Sequence, residues 1–183
     1  MSEQTHTAKA RIEEATTAEV ADELGLPSKK RNARRIVLGR HEWVGLPLLG
    51  VGPLHVKTDT GARSSSLHAE NIELSEDGKR VSFVTRDHWG RAHHCEAAVF
   101  KKKIVRSSSG EATRRIFIES EAVIAGGFRW AMRISLASRS EMRCPMLLGR
   151  EGMKGCFLID PSREQLAGDL KDLVRVYPDA AHP

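Results

Sequence analysis

The sequence has no apolar run approaching the roughly 20 residues that span a bilayer. Met1 to Lys9 is polar, with no apolar stretch of the secretory kind. The expectation is a cytoplasmic protein with no membrane partner. Cysteine is scarce: Cys95, Cys144 and Cys156, an odd number with no C-x-x-C spacing. That argues against a disulfide framework and for reduced thiols buried as small hydrophobes. Neither HExxH nor the phosphate loop GxxxxGK[ST] is present. His93-His94-Cys95, with His68 and His88 nearby, offers metal ligands, but adjacent residues on a strand point to opposite faces. No metal and no cofactor is expected. Ser64-Ser65-Ser66-Leu67-His68 lacks the G-x-S-x-G elbow of a serine hydrolase and reads as a turn. The formal charge is +5, concentrated in Lys29-Lys30-Arg31 with Arg34-Arg35 and in Lys101-Lys102-Lys103 with Arg106. No RNA- or DNA-binding signature accompanies these clusters, so they read as solvated faces and a basic linker, not as a nucleic-acid site.

What is present suits one domain with extensions. The chain has 183 residues, 40% of them hydrophobic, enough for a real core. Residues 1–34 form an N-terminal extension, disordered or a short helix over Arg11 to Leu26, ending in a basic linker. The domain spans 35–162, and 163–183 is a charged, weakly patterned tail. Short strands punctuated by turns fill the domain. Arg35 to Gly39 is one, and Trp43 to Leu49 is an apolar segment that Pro47 pushes toward an edge or loop position rather than a central strand. Gly50-Val51-Gly52-Pro53 reads as a turn. Ser66 to Leu74 reads as a strand with Leu67, Ala69 and Ile72 inward. Glu76-Asp77-Gly78-Lys79 and Ala125-Gly126-Gly127 read as hairpin turns. Met146 to Leu148 is a buried strand, Arg150 to Lys154 starts a short helix, and Cys156 to Asp160 closes the sheet. The pattern predicts an all-β fold, a small closed barrel with one short helix.

One stretch carries candidate chemistry. Leu54, Val56 and Thr58 alternate into Asp59, and Thr60-Gly61-Ala62 then turns the chain tightly. A carboxylate at a strand end on a stiff loop is well held for acid–base work. Taken alone, an Asp before Thr-Gly is an ordinary turn former. Far downstream lies Pro145-Met146-Leu147-Leu148-Gly149-Arg150. Asp59-Thr60-Gly61-Ala62 together with this segment resembles the catalytic loop and the hydrophobic-hydrophobic-Gly segment of retropepsin-like aspartic proteases. The fuller pattern, with Lys57-Thr58 and Ser66-Leu67-His68-Ala69, is similar to a bacterial family labelled ATP-dependent zinc proteases and now viewed as retropepsin-like. The resemblance covers roughly Arg35 to Asp160.

The resemblance implies an aspartic-type peptidase of the retropepsin-like barrel type. Asp59, Thr60 and Gly61 would be the catalytic triplet, supported by Ala62, Leu147, Leu148, Gly149 and Arg150. With a single Asp-Thr-Gly in the chain, it implies a homodimer acting on a peptide or protein substrate. Arg150 resembles the arginine that braces the loop. Viral retropepsins carry an acid where this chain has Arg63, so the bracing network must differ. The tip Ser107-Ser108-Ser109-Gly110 is the flap candidate, against the plainer reading of an exposed hairpin loop. Family members often accompany ATP-grasp peptide ligases, which suggests a functional link. The rival reading is an inactive barrel of the same fold that binds peptide.

Overall fold

The computed structural model describes residues 35–106, 112–138 and 143–181, with only the backbone of Arg106. The N-terminal extension and the flap candidate Ser107 to Gly110 lie outside the described residues. Eleven strands are present: β1 (Ile36–Leu38), β2 (His41–Leu46), β3 (Val51–Asp59), β4 (Ser65–His68), β5 (Glu70–Leu74), β6 (Arg80–Arg86), β7 (Ala92–Arg106), β8 (Ala112–Ile124), β9 (Arg129–Ala137), β10 (Met146–Gly149) and β11 (Phe157–Ile159). Among the described residues the helices are few: α1 (Arg150–Met153), α2 (Leu170–Val176) and two short 3-10 turns.

Nine strands form one sheet in the order β2-β3-β10-β4-β9-β8-β7-β6-β5. β2 also pairs with β8 through Val44↔Ile124 and Gly45↔Val123. Pairing therefore returns on itself through six strands, and β7, β6 and β5 extend outward as a meander. The enclosed side chains are apolar and alternate along the strands, as a half-buried sheet requires. Leu54 and Val56 on β3, Leu67 on β4, Ile134 and Leu136 on β9, and Met146 and Leu148 on β10 are buried together.

The hairpins at 76–79 and 125–127 form as the turn residues predict. β6 pairs with β7 from Arg80↔Ala98 to Arg86↔Ala92, and β8 with β9 to Val123↔Arg129. Three expectations are corrected. Gly50 to Pro53 is not simply a turn, because β3 already begins at Val51. The β2–β3 ladder jumps between Val44↔Leu54 and Leu46↔Val51. The proline, which cannot donate to a ladder, sits at that irregularity. Ile72 does not point inward: β5 is the outermost strand, its register shifts between Glu70 and Glu73, and Ile72 is exposed. The segment after Cys156 does not close the large sheet. β11 pairs in parallel with β1 as a separate two-stranded sheet, Ile36↔Phe157 to Leu38↔Ile159.

The fold also holds more helix than the one short element expected, and the second helix lies in the weakly patterned C-terminal stretch. Asp169 caps α2 in a reciprocal capping box with Asp172. Leu173, Tyr177 and Ala180 then pack with Trp43, Val123 and Ala125 as a second apolar cluster. Few apolar residues make that contact, so its sequence signal is faint although its burial is complete.

Leu173 has no exposed surface. Leu173→Ala is expected to cost about 2–5 kcal/mol of stability, read as a lower urea midpoint at unchanged slope. A midpoint that does not move would show that α2 is not part of the cooperative unit.

Candidate active site

The Asp59 loop is assembled from two distant pieces of chain that meet in register. β10 runs parallel to β3, with Leu148 opposite Thr58 and Gly149 opposite Asp59. Its other edge pairs antiparallel with β4, Met146↔Leu67 and Leu147↔Ser66. The strand is thus wedged between the chain entering the loop and the chain leaving it. Only glycine fits at position 149: a Cβ there would lie 2.4 Å from the Ser64 carbonyl carbon and 2.9 Å from the Ser65 nitrogen. The Gly149 N–H donates to Ser65 Oγ at 3.1 Å. Leu148 is fully buried behind the loop. Leu147 alternates to the other face and is only half-buried.

Asp59 is half-buried at the end of β3, while Thr60 and Gly61 are exposed. Asp59 Oδ1 accepts the N–H groups of Gly61 and Ala62, each at 3.0 Å. Two donors on one oxygen fix the carboxylate plane, and Oδ2 takes no hydrogen bond from the described residues. One turn on, the start of α1 is tied to the same loop: the Arg150 N–H donates to the Ala62 carbonyl and the Glu151 N–H to the Arg63 carbonyl, both at 3.0 Å. The Arg150 guanidinium closes the ring, Nη1 donating to the carbonyls of Thr60 and Gly61 at 2.9 Å each. Arg150 therefore contacts the loop backbone directly.

Arg63, the departure from the viral pattern, has its own partner. Its Nε lies 2.7 Å from Glu151 Oε1. Arg63 thus pairs with an acid on α1, while Arg150 is engaged by the loop carbonyls. The pair is exposed and so contributes under about 1 kcal/mol.

Sequence reasoning missed two supporting residues. Ser65 belongs to β4, not to a turn: it is fully buried, its hydroxyl receives Gly149, and its carbonyl accepts the Ser135 hydroxyl at 2.9 Å. Trp130, expected only as a core or rim aromatic, donates its indole N–H to the Gly152 carbonyl at 3.0 Å and so anchors α1. The signal available was that a buried indole needs an acceptor. His93 and His94 do diverge across β7. His93 Nε2 lies 3.0 Å from Asp87 Oδ2, while His94 is exposed.

Beside the loop lies an open depression of about 670 Å³, whose rim includes Thr60, Arg63, Arg150 and Lys154. Lys101 on β7 feels the charges of Glu151 and Arg63, and its pKa is lowered, first by burial. The depression beside Asp59 is thus lined by three cations, Arg63, Arg150 and Lys154, against one anion, Glu151.

Comparison with known proteins follows this geometry. The family model described as retropepsin-like aspartic endopeptidase RimB and its like matches residues 37–169. A protein of Shewanella pealeana named probable alpha-L-glutamate ligase is 35% identical over 144 residues, covering 76% of this chain and 31% of that protein. One of the same name from Parasynechococcus marenigrum is 34% identical over 143 residues, covering 75% and 30%. The chain spans about a third of the length of these relatives. A crystal structure of a Legionella pneumophila protein of unknown function shares the fold, with a TM-score of 0.61 at 23% identity, covering 73% of this chain and 99% of that one.

Gly149→Ala is expected to destabilise the protein by about 1–3 kcal/mol and to speed amide exchange at Gly61 and Ala62. Hydrogen exchange with a melting curve checks both. Unchanged exchange at the two amides would mean that β10 does not hold the loop.

Proposed function

This chain belongs to the RimB-like family of retropepsin-like aspartic endopeptidases, and from that premise we propose that it hydrolyses peptide bonds as a homodimer, each subunit supplying one Asp59. The six-strand circuit is then the small closed barrel of that fold, and the protein works in the reducing cytoplasm. The observation that carries the reading is the Asp59 carboxylate itself, with Oδ1 fixed by two backbone N–H groups and Oδ2 left for a reacting partner.

Aspartic proteolysis needs two facing carboxylates sharing one proton, because like charges about 3 Å apart cannot both ionise. That rule comes from aspartic proteases as a class. A second subunit brings the second Asp59 to a twofold axis. One Asp59 takes a proton from a water held between the pair as it attacks the scissile carbonyl. The other, protonated, donates to the carbonyl oxygen, and a proton then passes to the leaving amine as the C–N bond breaks. The two titrate as a unit. The Thr60 hydroxyl bonds across the axis, Gly61 and Ala62 hold the carboxylate, and Leu147, Leu148, Gly149 and Arg150 keep the loop rigid. Apolar surface suited to pairing lies on the two-stranded sheet, where Val37 and Leu158 sit opposite each other and are 42% and 49% exposed.

The substrate we infer is a peptide carrying glutamate residues of the kind a glutamate ligase adds. Two observations support it: the relatives' printed names and the cationic rim around Asp59. The ligase is then the functional partner, and this protein trims its product.

Asp59→Asn is expected to lower peptide cleavage by at least about 100-fold while leaving circular dichroism and sedimentation unchanged. Mixing wild type with a tenfold excess of that variant, under conditions of subunit exchange, lowers activity per wild-type subunit about tenfold if carboxylates act in pairs across a twofold. Full activity in the mixture would mean that one subunit suffices. A second expectation concerns substrate: replacing glutamate by glutamine at the cleaved end of a peptide costs about tenfold in kcat/KM, with a difference that shrinks as salt rises. Equal cleavage of both peptides would remove the acidic-substrate reading.

A further inference from the structure

Glu42 is the buried acid that the proposed chemistry leaves unused. It has no exposed surface, and β2 is otherwise buried from Trp43 to Leu46 by uncharged residues. A carboxylate in such a position is costly unless its oxygens are fully engaged. Here they are engaged by backbone alone. Oε1 accepts the Gly39 N–H at 2.6 Å and the Leu166 N–H at 3.1 Å, and Oε2 accepts the Ala167 N–H at 3.3 Å. One side chain thus joins two segments far apart in sequence: the turn between β1 and β2, and the strap after β11.

That strap is laid along the turn bond by bond. The Asp160 N–H donates to the Leu38 carbonyl at 2.8 Å, the Arg40 N–H to the Arg163 carbonyl at 2.7 Å, and the Gln165 N–H to the His41 carbonyl at 2.8 Å. Contact is so close at Gly39 that a Cβ there would lie 2.5 Å from the Glu164 Cα and 2.6 Å from the Arg163 carbonyl oxygen. The other side of the same turn faces the catalytic strand. Thr58, immediately before Asp59, donates its hydroxyl to the Gly39 carbonyl at 2.9 Å, and its N–H to the Arg40 carbonyl at 3.0 Å. The turn is therefore gripped between Glu42 with the strap on one side and Thr58 on the other.

We propose that Glu42 is a positioning residue for Asp59: it holds the 39–40 turn against the strap, and the turn sets the height of Thr58 and hence of the carboxylate that follows it. This role rests on the proposed role of Asp59, but the coupling itself runs through three hydrogen bonds to Glu42 and two from Thr58 that catalysis does not define. Burial raises the Glu42 pKa from its ordinary value, against the three backbone donors that lower it. A neutral amide cannot replace it. Glutamine keeps one oxygen and turns an NH2 toward a backbone N–H, donor against donor. The retained oxygen still serves the Gly39 and Leu166 N–H groups, so the repulsion falls on the Ala167 N–H; it pushes the strap away from the turn it backs, and the turn and Thr58 loosen with it.

The experiment uses the full chain with Glu42→Gln, Thr58→Val, Thr58→Ser and the double variant Glu42→Gln/Thr58→Val. The first readout is hydrogen exchange. Glu42→Gln is expected to speed exchange at Gly61 and Ala62 by about tenfold or more, with β6 amides from Val81 to Thr85 unchanged. The second is steady-state cleavage: kcat falls about ten- to a hundredfold with KM within about twofold, the pattern of misplacement rather than weaker binding. Thr58→Val behaves alike, Thr58→Ser restores the wild-type values, and the double variant loses no more than the worse single one. Faster exchange spread evenly over the molecule, or loop exchange and kcat unchanged beside a lower melting temperature, would overturn the proposal and leave Glu42 a stabilising residue only. Multiplying single effects would do the same. If Glu42→Gln fails to fold, the Thr58 pair decides. If the wild type cleaves no peptide, the exchange readout still tests the coupling, and only the reading of Asp59 as a protease carboxylate falls.

Discussion

The parallel pairing of β10 with β3 is the constraint on which the candidate site depends. It sets Gly149 against Asp59 and, through the opposite edge, Leu147 against Ser66. One four-residue strand thereby holds both arms of the loop at a separation that admits no side chain at position 149. Parallel partners must be joined by a long connection. Here that connection is most of the molecule, from β4 through β9, so the loop geometry is a property of the whole sheet. Strain at the site is not required: the glycine is where backbone approaches backbone, and hydrogen bonds from Ser65 and the start of α1 occupy the groups left over.

Electrostatics around that loop follow from the same packing. Arg150 spends its guanidinium on two backbone carbonyls, and Arg63 faces Glu151 across the mouth of the loop. The ion pair at this mouth therefore joins position 63 to the start of α1. Lys154 adds to the cationic rim from the end of α1, and Lys101 reaches the same charges from β7. A rim of this sign attracts acidic chains from solution, an effect on encounter more than on affinity.

Much of the local structure could be read from residue order. Turn residues at 76–79 and 125–127 marked two hairpins, and alternation through Leu54, Val56 and Thr58 marked the strand ending at Asp59. The segments 59–62 and 146–150, joined in the resemblance, do lie side by side in the sheet. Other readings failed where a neighbour decided the outcome. Ile72 is apolar and expected inward, yet among the described residues β5 has no strand beyond it and the residue is exposed. Ser65 sits in a serine run that reads as a turn, yet β9 and β10 flank it and bury it completely. The stretch after Asp160 mixes charged and apolar residues without a clear period, yet Leu173, Tyr177 and Ala180 find a cluster built by β2 and β8.

Residue order alone determined the things that act over a few positions: where the chain turns, which strands alternate, and that a lone carboxylate precedes Thr-Gly-Ala. These depend on backbone torsion preferences and on side-chain period, which each residue carries with it. Tertiary structure alone decided which strand lies beside Asp59, where Arg63 finds its acid, and that Glu42 serves as an acceptor for residues more than a hundred positions away. Those outcomes depend on distances between segments, and distance in space is set only when the sheet closes its pairings and every buried polar group must find a partner.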